Sequence, residues 1–435
     1  MTVAGSPSNA DHPETEGRGG SPRALVSWCL FDWANSAFPT VVTTFVFAAY
    51  FTQAVAADEI TGTSQWGYTI SIAALVVAVI GPVLGAIADK GGRRKPWIAV
   101  FTLLCVLASA LLWFTRPDPA DVPWALVFVG LATIGFETSM VFYNAMLPDL
   151  APKRMIGRIS GWGWGLGYGG GLTCLVVVLF AFVQAEAPLF GLDKEALEDV
   201  RITPVLAAAW FAVFSLPLFL ATPDKAASGL DIRAAVRQGI AELIATLRRV
   251  REFADIARYL LANMIYTDGL NTLFAFGGIY AAGTFGMETA EVIQFGIAIN
   301  VTAGLGAAAF AWVDDWIGPK RTILISLAAL TVLGSVLLVI ESKTLFWVFG
   351  LSLGLFVGPA QAASRSLMAH LAPAELRTEM FGLYAFSGKA TAFLGPALFA
   401  LGTDIFDSQR AGMATIVVFF VVGIILLWRV PDVRR

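Results

Sequence analysis

Charge is scarce in this chain. Asp, Glu, Lys and Arg make up 14% of its 435 residues, against about 25% in soluble proteins. Hydrophobic residues reach 57% and mean hydropathy is +0.72. That balance excludes a soluble globular protein and points to a polytopic membrane protein, with helices as the spanning elements. Histidine is nearly absent: His12 and His370 are the only two. A His-based metal centre is therefore not expected, and no cofactor is implied. An integral-membrane acyl or glycosyl transferase needs an acid–base or nucleophilic set at a water interface. None is visible, and an enzyme is not expected. The three cysteines, Cys29, Cys105 and Cys174, all fall inside apolar runs and read as core thiols, not as a disulfide framework. Residues 1–22 lack an apolar core, so they read as a disordered cytoplasmic tail and not as a signal peptide.

Long apolar runs are what the chain has in quantity. Twelve are long enough to cross a bilayer as helices: roughly 25–52, 66–88, 96–114, 123–149, 158–184, 203–221, 256–283, 290–312, 320–340, 344–370, 378–403 and 411–429. The first contains Pro39, where a kink is expected. Lys and Arg gather on one set of connections, among them Lys90, Lys95, Lys153, Arg154, Arg158 and Arg377, and the other set is largely acidic. By the positive-inside rule both termini face the cytoplasm. Between the sixth and seventh runs, Ile232, Val236, Ile240, Leu243, Leu247 and Val250 recur at helical spacing among Arg and Glu. An amphipathic helix on the cytoplasmic membrane surface is expected there. The organisation that follows is a tail (1–22), a six-helix half (23–222), a linker (223–254) and a second six-helix half (255–435).

The halves echo each other. The stretch Gly85 to Lys95, GAIADKGGRRK, recurs in degraded form as AWVDDWIGPKR from Ala311 to Arg321. Asp315 stands for Asp89, Gly318 for Gly92, and Lys320 and Arg321 for Arg93 and Arg94. Leu150-Ala151-Pro152 likewise returns at residues 371–373, and Gly161 matches Gly382. A carboxylate at a helix end, facing cations and a neighbouring helix N-terminus, can latch two helices together on the cytoplasmic face. The spacing resembles the G-x-x-x-D-x-x-G-x-[RK]-[RK] loop of the major facilitator superfamily. That resemblance implies an all-α integral membrane fold, twelve helices in two pseudo-symmetric halves, with a substrate site between them near the midplane. Ala311 departs from the glycine usual at its position, which weakens the second latch and not the fold.

Charges at bilayer depth are expensive and are functional candidates by default. Five stand out: Asp32, Glu137, Asp268, Arg365 and Lys389. In a facilitator architecture the first, fourth, seventh and tenth helices line the central cavity, and four of the five fall on them. Glu137 and Asp268 read as protonatable coupling groups, since desolvation at mid-depth raises a carboxyl pKa. Arg365 and Lys389 read as grips for a substrate carboxylate or phosphate. Asn35, Tyr143, Asn144, Asn263, Asn271 and Gln361 share these helices and can supply neutral hydrogen bonds. The competing reading is structural ion pairing, for example Asp268 with Lys389. The run GWGWGLGYGGG from Gly161 lies within a span with no preceding strand. Its glycines at four-residue spacing serve close helix packing, not nucleotide binding.

FDWANSAFPTVVTTFVF, VFYNAMLPDLAP, DGLNTLFAFGGIYAAGTFGM and FGLYAFSGKATAFLGP resemble the vacuole-effluxer, autophagy-related branch of the facilitator superfamily. The likeness runs from Ala24 onward. It implies transport, with amino-acid export the activity of fungal members, and it places Asp32, Asn35, Asn144, Asp268, Asn271, Arg365 and Lys389 in recurrent motifs. The expectation is a secondary active transporter, symporter or antiporter, moving a small polar solute by alternating access with protons. An amino acid is the first substrate expected. The alternatives are a facilitator for sugars, muropeptides or drugs, or a transporter-shaped receptor. A monomer in a prokaryotic plasma membrane is expected, with no nucleic-acid partner.

Overall fold

The computed structural model describes residues 20–187, 189–248 and 252–432. Most of the expected tail, including His12, and Arg249, Val250 and Arg251 of the linker lie outside the described residues. The protein is an all-α membrane protein with two six-helix halves. The first half comprises α1 (Pro22–Val55), α2 (Thr61–Gly91), α3 (Lys95–Phe114), α4 (Pro119–Leu150), α5 (Lys153–Val183) and α6 (Glu198–Ala221). The linker forms α7 (Ile232–Arg248). The second half comprises α8 (Ala254–Phe285), α9 (Thr289–Ile317), α10 (Pro319–Val339), α11 (Lys343–Leu371), the pair α12 (Arg377–Ser387) and α13 (Leu394–Phe406), and α14 (Gln409–Trp428). Among the described residues ten helices are long and apolar enough to span on their own. The other two crossings, α8 and α12–α13, are the ones that carry Asp268 and Lys389.

Local sequence explains the irregularities. α1 is regular to Asn35 and then winds through wider turns from Phe38 to Phe45, starting beside Pro39, whose ring removes one backbone donor. The eleventh span, continuous by hydropathy, is broken over residues 388–393. Pro396 cannot donate back across that turn. Gly395 lies so close to α8 that a side chain there would run into the Thr272 hydroxyl. The break carries Lys389 and Thr391 out of the helical ladder.

Small residues set the distance between halves. A Cβ on Gly161 would come within 2.5 Å of the Ala311 Cβ, and one on Gly165 within 3.2 Å of the Gly304 carbonyl. Gly85 of α2 meets the Thr378 carbonyl of α12 in the same way, at 2.5 Å. These backbone approaches concentrate toward the end carrying Lys90, Arg94 and Arg158, called here the basic face. α7 packs on the last turns of α2, with Gly239 against Ile87. Its inward stripe is Ala235, Gly239, Leu243 and Thr246, whereas Ile240 and Ile244 point outward. The apolar spacing therefore picks out a helix, but the face that meets the protein is the one with the smaller residues, because close approach to α2 leaves no room for Ile.

Gly161→Leu is expected to force α5 and α9 apart and to destabilise the protein by roughly 1–3 kcal/mol, the usual cost of overpacking. Thermal unfolding in detergent reads it, and an unchanged midpoint would show that the interface is looser than described.

Candidate functional site

The polar residues lie in layers along the interface between the halves. At the basic face, Asp89 accepts hydrogen bonds from the Thr378 and Glu379 amides (2.8 and 2.9 Å) and from the Thr378 hydroxyl (2.6 Å). These amides open α12, so the carboxylate sits on the positive end of a helix in the opposite half. Arg94 is buried beside it. It donates to Thr378 Oγ1 (2.8 Å) and the Ala145 carbonyl (2.9 Å), pairs with Asp149, and lies 3.5 Å from Asp89. Gly92, at φ +86°, turns the chain between them. Arg93 is exposed and does not join the cluster. Asp149 also pairs with Arg377 and Lys225, and Asp224 receives the Arg94 and Lys95 amides at 2.9 and 3.2 Å. Burial and the Arg94 guanidinium pull the Lys225 ammonium below its ordinary pKa.

The second copy repeats half of this. Asp315 accepts from the Arg158 amide at 3.0 Å and pairs with its side chain at 3.1 Å, at the start of regular winding in α5. Lys320 and Arg321 do not reach Asp315. They hold Asp432, at 3.8 and 3.2 Å, within their own half.

One layer deeper, Arg365 pairs with Asp32 at 2.8 Å. Arg365 stands six residues before the end of α11, about 9 Å along the helix. It is 2% exposed. Its remaining donors go to Ser160 Oγ (3.0 Å), the Ser160 carbonyl (2.7 Å) and Asn144 Oδ1 (3.3 Å), and its plane lies 4.8 Å from the Trp28 ring centre. Tyr143 stacks on Trp28 at 4.4 Å and donates to its carbonyl at 3.0 Å. Four of the five guanidinium N–H groups are engaged, so in this state Arg365 joins the halves and leaves no two-pronged face open to a ligand.

At mid-depth Lys389 pairs with Glu137 at 2.8 Å. Lys389 is twelve residues from Arg377, about 18 Å along a helix. The side chains keep 32% and 21% exposure. Glu137, Met140 and Asn144 share a stripe of α4, and Met140 takes a hydrogen bond from Asn35 while Asn144 meets Arg365. The stripe therefore faces the other central helices. Lys389 pairs with Glu137 and not with Asp268, because the break in the eleventh span swings it toward α4. Asp268 is buried, faces the Thr391 hydroxyl of the break and has no ion-pair partner among the described residues. Asn263 is tied to Ser387 at 2.9 Å, and Gln361 accepts from Tyr168 at 2.6 Å. Asn271 is exposed one turn from Phe274 on α8.

Beyond this layer a cavity of about 460 Å³ opens between the halves, lined by Ser36, Thr40, Trp164, Tyr168, Phe274 and Asn300. A larger hollow of about 980 Å³, lined chiefly by apolar residues of α1, α5 and α9, lies away from the charged pairs and is set aside as the site. The inter-half ion pairs lie at mid-depth and toward the basic face, and the cavity lies on the other side. Helix-end carboxylates and close backbone packing join the halves at the basic face. Sequence reasoning missed Asp149, Asp224, Ser160, Thr378 and Glu379. An acid among so many cations, as at Asp149 and Asp224, was the available signal. Ser160 and Thr378 carry none.

Comparison with known proteins follows the same lines. The family described as vacuole effluxer Atg22 like matches residues 52–435. An uncharacterized MFS-type transporter, YxiO of Bacillus subtilis, is 27% identical over 93% of this chain and 94% of its own length. Autophagy-related protein 22 of Cryptococcus neoformans is 25% identical over 64% of this chain, which spans only 51% of that protein. The solved structure of the proton:xylose symporter XylE, bound to 6-bromo-6-deoxy-D-glucose, superposes with a TM-score of 0.72 over 94% of this chain and 96% of that one, at 13% identity. At that identity the likeness concerns the fold.

Asp32→Asn should leave the Arg365 charge buried without its partner, which costs about 3–5 kcal/mol. A matching fall in the unfolding midpoint, larger than for Glu137→Gln at the exposed pair, is the expected result. Equal, small effects would remove the distinction between the two layers.

Proposed function

Because the chain belongs to the vacuole effluxer Atg22-like family of major facilitator transporters, we propose that it moves a small zwitterion, an amino acid, by alternating access with proton coupling. The observation that carries this reading is the Glu137–Lys389 pair. It is partly open to solvent, at mid-depth, and each partner belongs to a different half. A zwitterion can take the place of both partners at once, its carboxylate on Lys389 and its ammonium on Glu137. Exposed pairs exchange partners at little cost, so the ligand would replace an inter-half contact without leaving a charge unmatched. The Ser36, Thr40 and Asn300 side chains in the inter-half cavity offer neutral hydrogen bonds to polar parts of a ligand on its way to or from the pair, and its rings can receive apolar parts.

Proton coupling rests on Asp268 and Glu137. Asp268 is enclosed with the Thr391 hydroxyl and no cation partner among the described residues, and an unpaired carboxylate charge there is costly. Proton binding relieves that cost. Protonation of Glu137 would free Lys389 in the same manner as an ammonium ligand. The concentration of Lys and Arg supports a cytoplasmic basic face, in a bacterial plasma membrane. The Bacillus relative supports that placement.

The test is flux in proteoliposomes with a panel of amino acids, small peptides and sugars, with and without a pH gradient. One amino-acid class should respond. Glu137→Gln and Lys389→Gln should each lower its flux about 30-fold or more, equivalent to roughly 2 kcal/mol. Asp268→Asn should remove the acceleration by the gradient. Sugar flux indifferent to Lys389→Gln would overturn the zwitterion reading.

A further inference from the structure

Two buried carboxylates stand next to the latches and take no part in them. Glu379 follows Thr378 at the start of α12. Its amide donates to Asp89, but its own carboxylate is fully buried, with the Thr246 hydroxyl facing it and no ion-pair partner among the described residues. Around it stand Asp89 and Lys90 of α2 and Glu242 and Thr246 of α7. Lys90, the nearby cation, is engaged by Glu242 at 3.3 Å. Asp314 precedes Asp315 at the end of α9 and is 4% exposed, again with one hydroxyl facing it and no ion-pair partner among the described residues. It faces Ser366 of α11 and its neighbour Asp315. It lies so close to α5 that a Cβ on Gly157 would come within 2.5 Å of its Cγ. Arg158, the cation nearest in sequence on α5, is taken by Asp315, and His370 stands near Asp315 as well. In each latch, then, one carboxylate caps a helix of the opposite half and a second is sealed off beside it.

Both sealed carboxylates are enclosed by contacts between units that alternating access must separate. Glu379 is covered by α2 and the linker helix, and Asp314 by α5. When the basic face opens, both meet water. A carboxylate charge shut from water with a single hydroxyl and no cation is costly, whereas the neutral acid is not. We propose that Glu379 and Asp314 are proton-binding sites completed by closure of the basic face, so that closing this gate takes up protons and opening releases them. The idea rests on the alternating-access reading above but not on the identity of the solute. Lys90 and Arg158, held by Glu242 and Asp315, leave the two sites without a cation of their own. The cost is thus met by a proton from the solution on the basic face.

The measurement is the ratio of closed to open basic face in lipid nanodiscs without substrate, as pH is varied. Spin-label distances between Arg154→Cys and Arg429→Cys, both at exposed positions in different halves, report it. Above the ordinary carboxylate range, near pH 4.5, the ratio should fall about tenfold per pH unit for each proton released. With both sites intact the slope approaches about a hundredfold per unit. Glu379→Gln and Asp314→Asn, which mimic the protonated acids, should each remove one proton from the slope and enrich the closed state. The double variant should be flat with pH. If it does not fold, each single variant still has to show the reduced slope. A slope unchanged by either substitution overturns the proposal, as does a slope lost in Asp268→Asn but kept in Glu379→Gln and Asp314→Asn. Failure of amino-acid flux would leave this measurement untouched, so the two ideas fail separately.

Discussion

The seat of Asp89 on the first amides of α12 is the contact on which the closed basic face depends. A helix N-terminus offers unsatisfied amides and a partial positive charge, and here the anion comes from the other half of the molecule. Arg94 is buried behind that carboxylate and ties it to Asp149 and Thr378. The same arrangement recurs with Asp315 and the start of α5. Two such contacts, related by the internal repeat, join the halves at one end of the molecule, and the cavity lies on the other side of them. Neither contact would survive a rocking of the halves.

Polarity is graded along the interface. At the basic face the charges are clustered and largely enclosed. One layer in, Arg365 and Asp32 are enclosed and four of the five guanidinium N–H groups are engaged. At mid-depth Glu137 and Lys389 remain partly wet. The difference in exposure separates structural from exchangeable pairing: breaking a buried pair is expensive, and exchanging partners in a hydrated one is not. The break at 388–393 makes the third layer possible, because it frees Lys389 from the direction a continuous helix would impose.

Closeness of backbones underlies all of this. Gly85, Gly157, Gly161 and Gly165 let helices of opposite halves approach to near contact, and without a hydrophobic driving force in lipid such packing is what binds helices. The close approach also seals carboxylates such as Asp314 away from water. Packing and charge are thus coupled: what brings the halves together determines which groups lose their solvent.

Hydropathy alone determined that the chain spans a membrane many times, since a bilayer admits only segments that satisfy their own backbone, but the two crossings that carry Asp268 and Lys389 fall short of that measure on their own. The repeated loop and the five intramembrane charges were legible for the same reason, because charge in an apolar run is conspicuous. Pairing was not legible. Which carboxylate meets Lys389, whether Arg365 is open or enclosed, and where Lys320 and Arg321 point depend on the rotation of each helix and on the break after Ser387. The sealed positions of Glu379 and Asp314 depend on contacts between segments far apart in the chain. Periodicity places a residue on a face of its helix, but only packing between the halves decides what that face meets and how much water is left there.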